Sequence, residues 1–147
     1  LGLFLAKFCD VARIMALDFG KVRTGIAITD ELQLIASGLT TIKTTELIPF
    51  LKEYISHEKV DLFVIGLPKR LDNTPSEAEV LIKEFLINLK GNIPHIPVER
   101  QDERFTSKMA FQAMLDSGMK KKKRQDKGLV DEISATLILQ SYLDRKK

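Results

Sequence analysis

Apolar positions fall first into two short, nearly continuous runs, Ile14 to Phe19 and Thr24 to Thr29, separated by the tight segment Gly20 to Arg23. Runs of this length around a glycine predict a strand hairpin, with Gly20 supplying the backbone freedom of the turn. A third strand is expected within Leu34 to Ile42. Leu47, Ile48, Leu51 and Ile55 then recur at helical spacing, with Thr44 or Thr45 as the cap. The run Asp61-Leu-Phe-Val-Ile-Gly66 has the continuous apolar pattern of a strand covered on both faces. Beyond the polar loop Lys69 to Asn73, Thr74, Pro75 and Glu77 make a capping-box start for a helix that turns Ala78, Leu81, Ile82, Phe85 and Leu89 to one side. Gly91 and Asn92 end it. Ile93 to Glu99 carries Pro94 and Pro97, which predicts a strand at a sheet edge. Thr106 or Ser107 caps a further helix through Asp116, Gly118 closes it, and Val130 to Leu143 reads as the last helix.

Three strands in succession predict an antiparallel meander, and the strand-helix-strand units that follow predict parallel additions to the same sheet. The expected class is therefore mixed α/β, with one layered sheet. At 147 residues, 44% apolar and 29% charged, the chain has the size of one domain with a substantial core. Leu1 to about Val11 is expected to be a disordered extension, because it lacks the length of a membrane span and the cleavage pattern of a signal peptide. The remaining residues, 12–147, are expected to form a single domain.

Chemistry is restricted by what is scarce. Cys9 is the only cysteine, so the chain cannot build an internal disulfide or a cysteine zinc site, and a reducing cytoplasmic setting is expected. His57 and His95 are the only histidines, too few for a histidine metal centre. The formal charge of +3 is unevenly spread: Lys120, Lys121, Lys122, Lys123, Arg124 and Lys127 surround a single acid, Asp126, and leave the rest of the chain net negative. Such a run is commonly a solvated loop. Placed just before Asp131, it would also suit a phosphate backbone.

Asp18 changes the picture most. It stands near the end of an apolar strand, where a carboxylate is costly unless paired, hydrogen-bonded or bound to a cation. Glu103 follows the Pro-containing strand, and Asp131 lies at the start of the last helix. Three acids on three separate elements suit a magnesium site for phosphodiester chemistry, because magnesium takes hard oxygen ligands and completes its shell with water and phosphate. Each acid also has a simpler reading. Asp18 could pair with Arg23 or Lys21 or bond turn amides, Asp131 could cap its helix, and Glu103 could pair with Arg100 or Arg104. Met109 and Met114, at helical spacing, read as core.

Four segments, taken together and in order, resemble the YqgF family, described as Holliday junction resolvases and pre-16S ribosomal RNA nucleases of ribonuclease H-like fold. They are Ala16-Leu-Asp-Phe-Gly-Lys-Val-Arg-Thr-Gly-Ile-Ala-Ile-Thr-Asp30, Val64-Ile-Gly-Leu-Pro68, Asp102-Glu-Arg-Phe-Thr-Ser107 and Val130-Asp-Glu-Ile-Ser-Ala-Thr-Leu-Ile-Leu-Gln140. The similarity extends from about Arg13 to Leu143. It implies a five-stranded mixed sheet, the first three strands antiparallel and the others parallel, with helices on both faces. It also implies that Asp18, Glu103 and Asp131 are catalytic and bind Mg2+ or Mn2+ in a two-metal mechanism, with Asp18 as the bridging ligand. Asp102 competes with Glu103, since Gly66-Leu67-Pro68 stands where related resolvases often carry an acid.

Lys21, Arg23, Arg104, Thr106 and the basic run Lys120, Lys121, Lys122, Lys123 and Arg124 are expected to contact nucleic acid through its backbone. The implied function is metal-dependent endonucleolytic cleavage, with 5′-end processing of pre-16S ribosomal RNA in ribosome biogenesis ahead of a DNA four-way junction. A noncatalytic RNA-binding assembly factor is the alternative from another class. A homodimer would be required for symmetric cutting of a junction. Asp18-Phe-Gly20 followed by Thr24-Gly25 also resembles the first phosphate loop of actin-like ATPases and sugar kinases. Those enzymes close nucleotide between two such halves, and this chain has length for one.

Overall fold

The computed structural model describes residues 12–68, 77–102, 112–118 and 126–146. The strands are β1 (Arg13–Asp18), β2 (Arg23–Thr29), β3 (Ala36–Lys43), β4 (Val60–Leu67) and β5 (Val98–Asp102). The helices are α1 (Leu47–His57), α2 (Glu77–Asn92) and α3 (Lys127–Lys146), and residues 112–116 are also helical. One sheet runs in the order β3-β2-β1-β4-β5. β1 pairs antiparallel with β2, as β2 does with β3, whereas β4 joins β1 and β5 joins β4 in parallel.

Strand alternation divides the core into two layers. Met15, Leu17, Ile26, Phe63 and Ile65 project to one face, where they pack with Leu47 and Leu51 of α1 and Ile82, Phe85 and Leu89 of α2. Ile14, Ala16, Ala27 and Val64 project to the other, against Ala135, Ile138, Leu139, Tyr142 and Leu143 of α3. β1 and β4 are therefore covered on both sides, which is why their sequences are continuously apolar. Both faces carry helices, as expected. Met114 is buried, as its spacing suggested, while Met109 lies outside the described residues.

Several boundaries and caps differ from the expectation. Thr44 and Thr45 belong to a 3-10 turn (Thr44–Glu46) and cap nothing with a side chain. The Thr44 hydroxyl instead donates to the Gly20 carbonyl at 2.5 Å and meets the Thr24 hydroxyl at 2.9 Å, fastening the hairpin turn. Gly20 is required there for space, because a Cβ would run into the Arg23 carbonyl. β3 is shifted toward Lys43, and β5 begins after both prolines, at Val98. It is nonetheless the sheet edge that those prolines suggested. Gly118 closes the preceding helical segment with φ +74, a conformation natural to glycine. Thr74, Pro75 and the loop 69–73 lie outside the described residues, as do 1–11 and the expected cap at Thr106 or Ser107.

The inner face of α2 contains one surprise. Ala78 and Leu81 are exposed, and Glu79 takes an inward position at 6% exposure. Both its oxygens accept from Arg100 of β5, at 2.6 and 3.0 Å. The same guanidinium donates to the carbonyls of Ile65 and Gly66 at 3.2 and 2.8 Å, so one side chain ties α2 and β5 to the end of β4. A bidentate, buried carboxylate-guanidinium pair is costly to break from one side, because the remaining charge stays buried. Glu79→Ala should lower stability by about 3 kcal/mol in urea unfolding. A loss below about 0.5 kcal/mol would show that the pair behaves as a surface one.

Candidate active site

Helix α3 reaches the sheet unusually closely at its first two turns, and the sequence makes this possible with glycine. A Cβ on Gly25 would collide with the Asp131 carbonyl and lie 2.9 Å from the Glu132 nitrogen. A Cβ on Gly38 would run into the Glu132 side chain. Beside them the Thr41 hydroxyl donates to the Gly128 carbonyl at 2.5 Å. At the far end of α3, the Tyr142 hydroxyl donates to Glu99 of β5, with Arg145 and Lys146 above its ring at 5.2 and 5.3 Å. Burial first, and then the bond to Glu99, push the Tyr142 phenol above its usual pKa. Fixed at both ends, α3 has a set height along the sheet.

That height sets the Asp131 backbone against Gly25. Gly25 stands directly opposite Asp18 in the β1-β2 ladder, where paired Cα atoms are about 4.5 to 5.5 Å apart. Alternation places Asp18 on the face of Ile14 and Ala16, the face that α3 covers. Both residues thus adjoin Gly25, Asp18 within the sheet and Asp131 over it from α3, at the C-terminal end of β1. Across the sheet, one residue beyond the Leu17–Ile65 pair, Asp18 is level with Gly66, which is paired with Gln101. The Gln101 side-chain oxygen is buried and has no hydrogen-bond partner among the described residues.

One simpler reading, Asp131 as the cap of its helix, fails. Asp126 caps α3, its side chain accepting from the Leu129 amide at 3.2 Å, and the first helical bond runs from the Val130 amide to the Asp126 carbonyl. The helix therefore starts at Lys127, ahead of the expected Val130, and Asp131 is within it. Its carboxylate is not spent on capping. Arg23 pairs with Asp131, its Nε donating at 2.9 Å. Arg100, one expected partner for Glu103, is occupied by Glu79 and two carbonyls.

Asp102 ends β5 at the same sheet end as Asp18, but alternation groups it with Val98 and Arg100, toward α2. It faces away from Asp131. Glu103, Arg104, Thr106 and residues 120–124 lie outside the described residues. Among the described residues no three acids, histidines or cysteines gather closely enough to hold a metal ion. Lys21 is exposed at the β1-β2 turn. The sequence reading missed Asp126, whose place three residues before Leu129 is a cap signal, and Gln101, for which no sequence signal exists.

As a donor set for magnesium, Asp18 and Asp131 fit: both supply hard carboxylate oxygens on one face of one sheet end. A mixed five-stranded sheet in this order, with two helices on one face and a long C-terminal helix on the other, is a ribonuclease H-like fold. T. thermophilus RuvC in complex with Holliday junction substrate is similar in fold, with TM-score 0.54 over 91% of this chain and 96% of that one, at 15% identity. The chain belongs to the RuvX (YqgF) family, described as Holliday junction resolvase, whose model matches residues 12–145.

Among its relatives, the protein named "Putative pre-16S rRNA nuclease" of Christiangramia forsetii is 62% identical over 133 residues, 90% of this chain and 98% of the relative. A protein of the same name from Flavobacterium psychrophilum is 58% identical over 134 residues, 91% of this chain and 98% of that one. Among the described residues no helix is long and apolar enough to cross a membrane.

Gly25→Ala should destabilise the fold by about 3 kcal/mol, because its Cβ meets backbone that cannot rotate away. Gly91→Ala, with nothing within 4 Å, should change stability by less than about 1 kcal/mol. Equal unfolding midpoints for the two variants would contradict the close seating of α3.

Proposed function

We propose that this chain is a metal-dependent endonuclease that acts on structured RNA, in 5′-end processing of pre-16S ribosomal RNA. The observation that supports the reading is that Asp18 pairs with Gly25 in the sheet while the Asp131 backbone packs over the same glycine, at the C-terminal end of β1. Membership of a nuclease family and the names of relatives that are 58 to 62% identical support it.

Asp18, Asp131 and Glu103 would hold Mg2+ or Mn2+. Glu103 is chosen over Asp102 because Asp102 shares the α2-facing side of β5. When bound, the metal supplies Lewis-acid stabilisation of the charge that develops on the phosphate oxygens. The protein's own contribution is positioning. Asp18 is set by the β1 ladder, and Asp131 by the contact of α3 with Gly25. Arg23 orients the Asp131 carboxylate through its Nε and keeps further guanidinium donors that can meet a phosphate. Lys21, Arg104, Thr106 and the run Lys120, Lys121, Lys122, Lys123 and Arg124 would hold the backbone on either side without reading sequence.

Cleavage of a DNA four-way junction is a second reading, favoured by the description of the family. Incubating the purified protein with precursor ribosomal RNA and with a synthetic junction separates the two readings by which one is cut.

Asp18→Asn should reduce magnesium-dependent cleavage of precursor ribosomal RNA at least a hundredfold while leaving the unfolding midpoint and RNA affinity nearly unchanged. Wild-type cleavage rates in this variant would remove the proposal. Neutralising Lys120 to Arg124 should weaken RNA binding uniformly across sequences, with the log-log salt slope falling by about 0.7 to 0.9 for each phosphate no longer neutralised. An unaltered slope would reduce this run to a solvated segment.

A further inference from the structure

Asp18 and the Asp131-bearing helix, on which the nuclease reading rests, lie on the α3 side of the β1 end. On the opposite side, one residue along, a cleft of 390 Å³ opens between α1, α2 and the β1-β2 turn. Its volume lies within the range of small-molecule sites. Phe19, Leu81 and Phe85 supply its apolar wall, and the two phenyl rings stack with centroids 4.8 Å apart at 29°. Lys21, Glu84 and Asn88 stand around it as polar groups, all three exposed.

We infer that this cleft receives one unpaired nucleobase of the strand whose phosphate lies at Asp18. The inference rests on the nuclease reading and adds a substrate subsite to it. Position argues for it: consecutive Cα atoms are about 3.8 Å apart, so Asp18 and Phe19 lie on opposite faces of the same sheet end. A single strand that crosses this end with a phosphate toward α3 can turn its adjoining base over the rim toward α2.

The lining chemistry matches that occupant. An aromatic and aliphatic wall suits the flat, weakly hydrated face of a base, as in single-strand binding proteins. Asn88 can both donate to and accept from a base edge, and Glu84 can accept from an exocyclic amine. Lys21, at the β1-β2 turn on the cleft's rim, supplies the positive charge that the linking phosphate requires. A duplex base cannot enter, so the subsite selects unpaired segments of structured RNA over continuous helices.

The test compares a five-nucleotide RNA with an all-abasic oligomer of the same length and phosphate count, bound to the full protein in EDTA and read by fluorescence anisotropy. The wild-type protein should favour the base-containing oligomer about tenfold. Asn88→Trp and Leu81→Trp, at exposed positions two turns apart on α2, fill the cleft and should each bring this preference close to onefold. An undiminished preference in both variants, or no preference in the wild type, overturns the subsite. Cleavage of precursor ribosomal RNA by the same wild-type preparation then shows that only the subsite has failed. If the wild type neither binds nor cleaves RNA, the nuclease reading falls with it.

Discussion

The seating of α3 on two glycines is the constraint from which the proposed site follows. Gly25 and Gly38 remove the side chains that would otherwise hold the helix off β2 and β3, and Thr41 bonds the backbone it exposes. Nothing in Asp131 itself dictates its location. The residue is carried to the β1 end because backbone meets backbone at Gly25, and because Tyr142 and Glu99 fix the other end of the same helix. A close-packed interface of this kind transmits position without slack. Seating α3 at its N-terminal end therefore depends on two glycines, which carry no charge at all.

The opposite side of the sheet uses a different device. Arg100 and Glu79 join α2, β4 and β5 with a buried ion pair and two carbonyl bonds, immediately before the segment that leads to Glu103. Such a pair contributes little net stability over an apolar replacement but defines one geometry. The end of β5 is held in register where an apolar contact would allow sliding. Gly66, between Asp18 and Gln101, keeps the floor of that row at backbone height.

Much of this was legible in the sequence. The paired apolar runs of β1 and β2, the continuous β4 and the prolines ahead of β5 gave strand types and the sheet edge, because alternation and proline chemistry are local. Asp18 stood out as a carboxylate at the end of an apolar strand, and the family motifs implied it with Glu103 and Asp131 as an acidic set. Long-range partners escaped: Glu79 reads as a surface acid on a helix until Arg100, 21 residues away, is brought under it. Arg23 also pairs with Asp131, 108 residues away, a partner that nothing nearby in the chain reveals. Thr44 reads as a cap because nothing nearby in the chain reveals the Gly20 carbonyl. In each case tertiary contact claimed a side chain that local rules had assigned elsewhere.

The most direct measurement is a manganese titration of the isotope-labelled protein, followed by paramagnetic broadening of backbone amides. A shared site predicts that the amides of Asp18, Gly25 and Asp131 broaden together, along one binding curve, before the rest of the sheet is affected. Broadening of Asp18 and Asp131 along separate curves, or of neither, would contradict a common metal site at the end of β1.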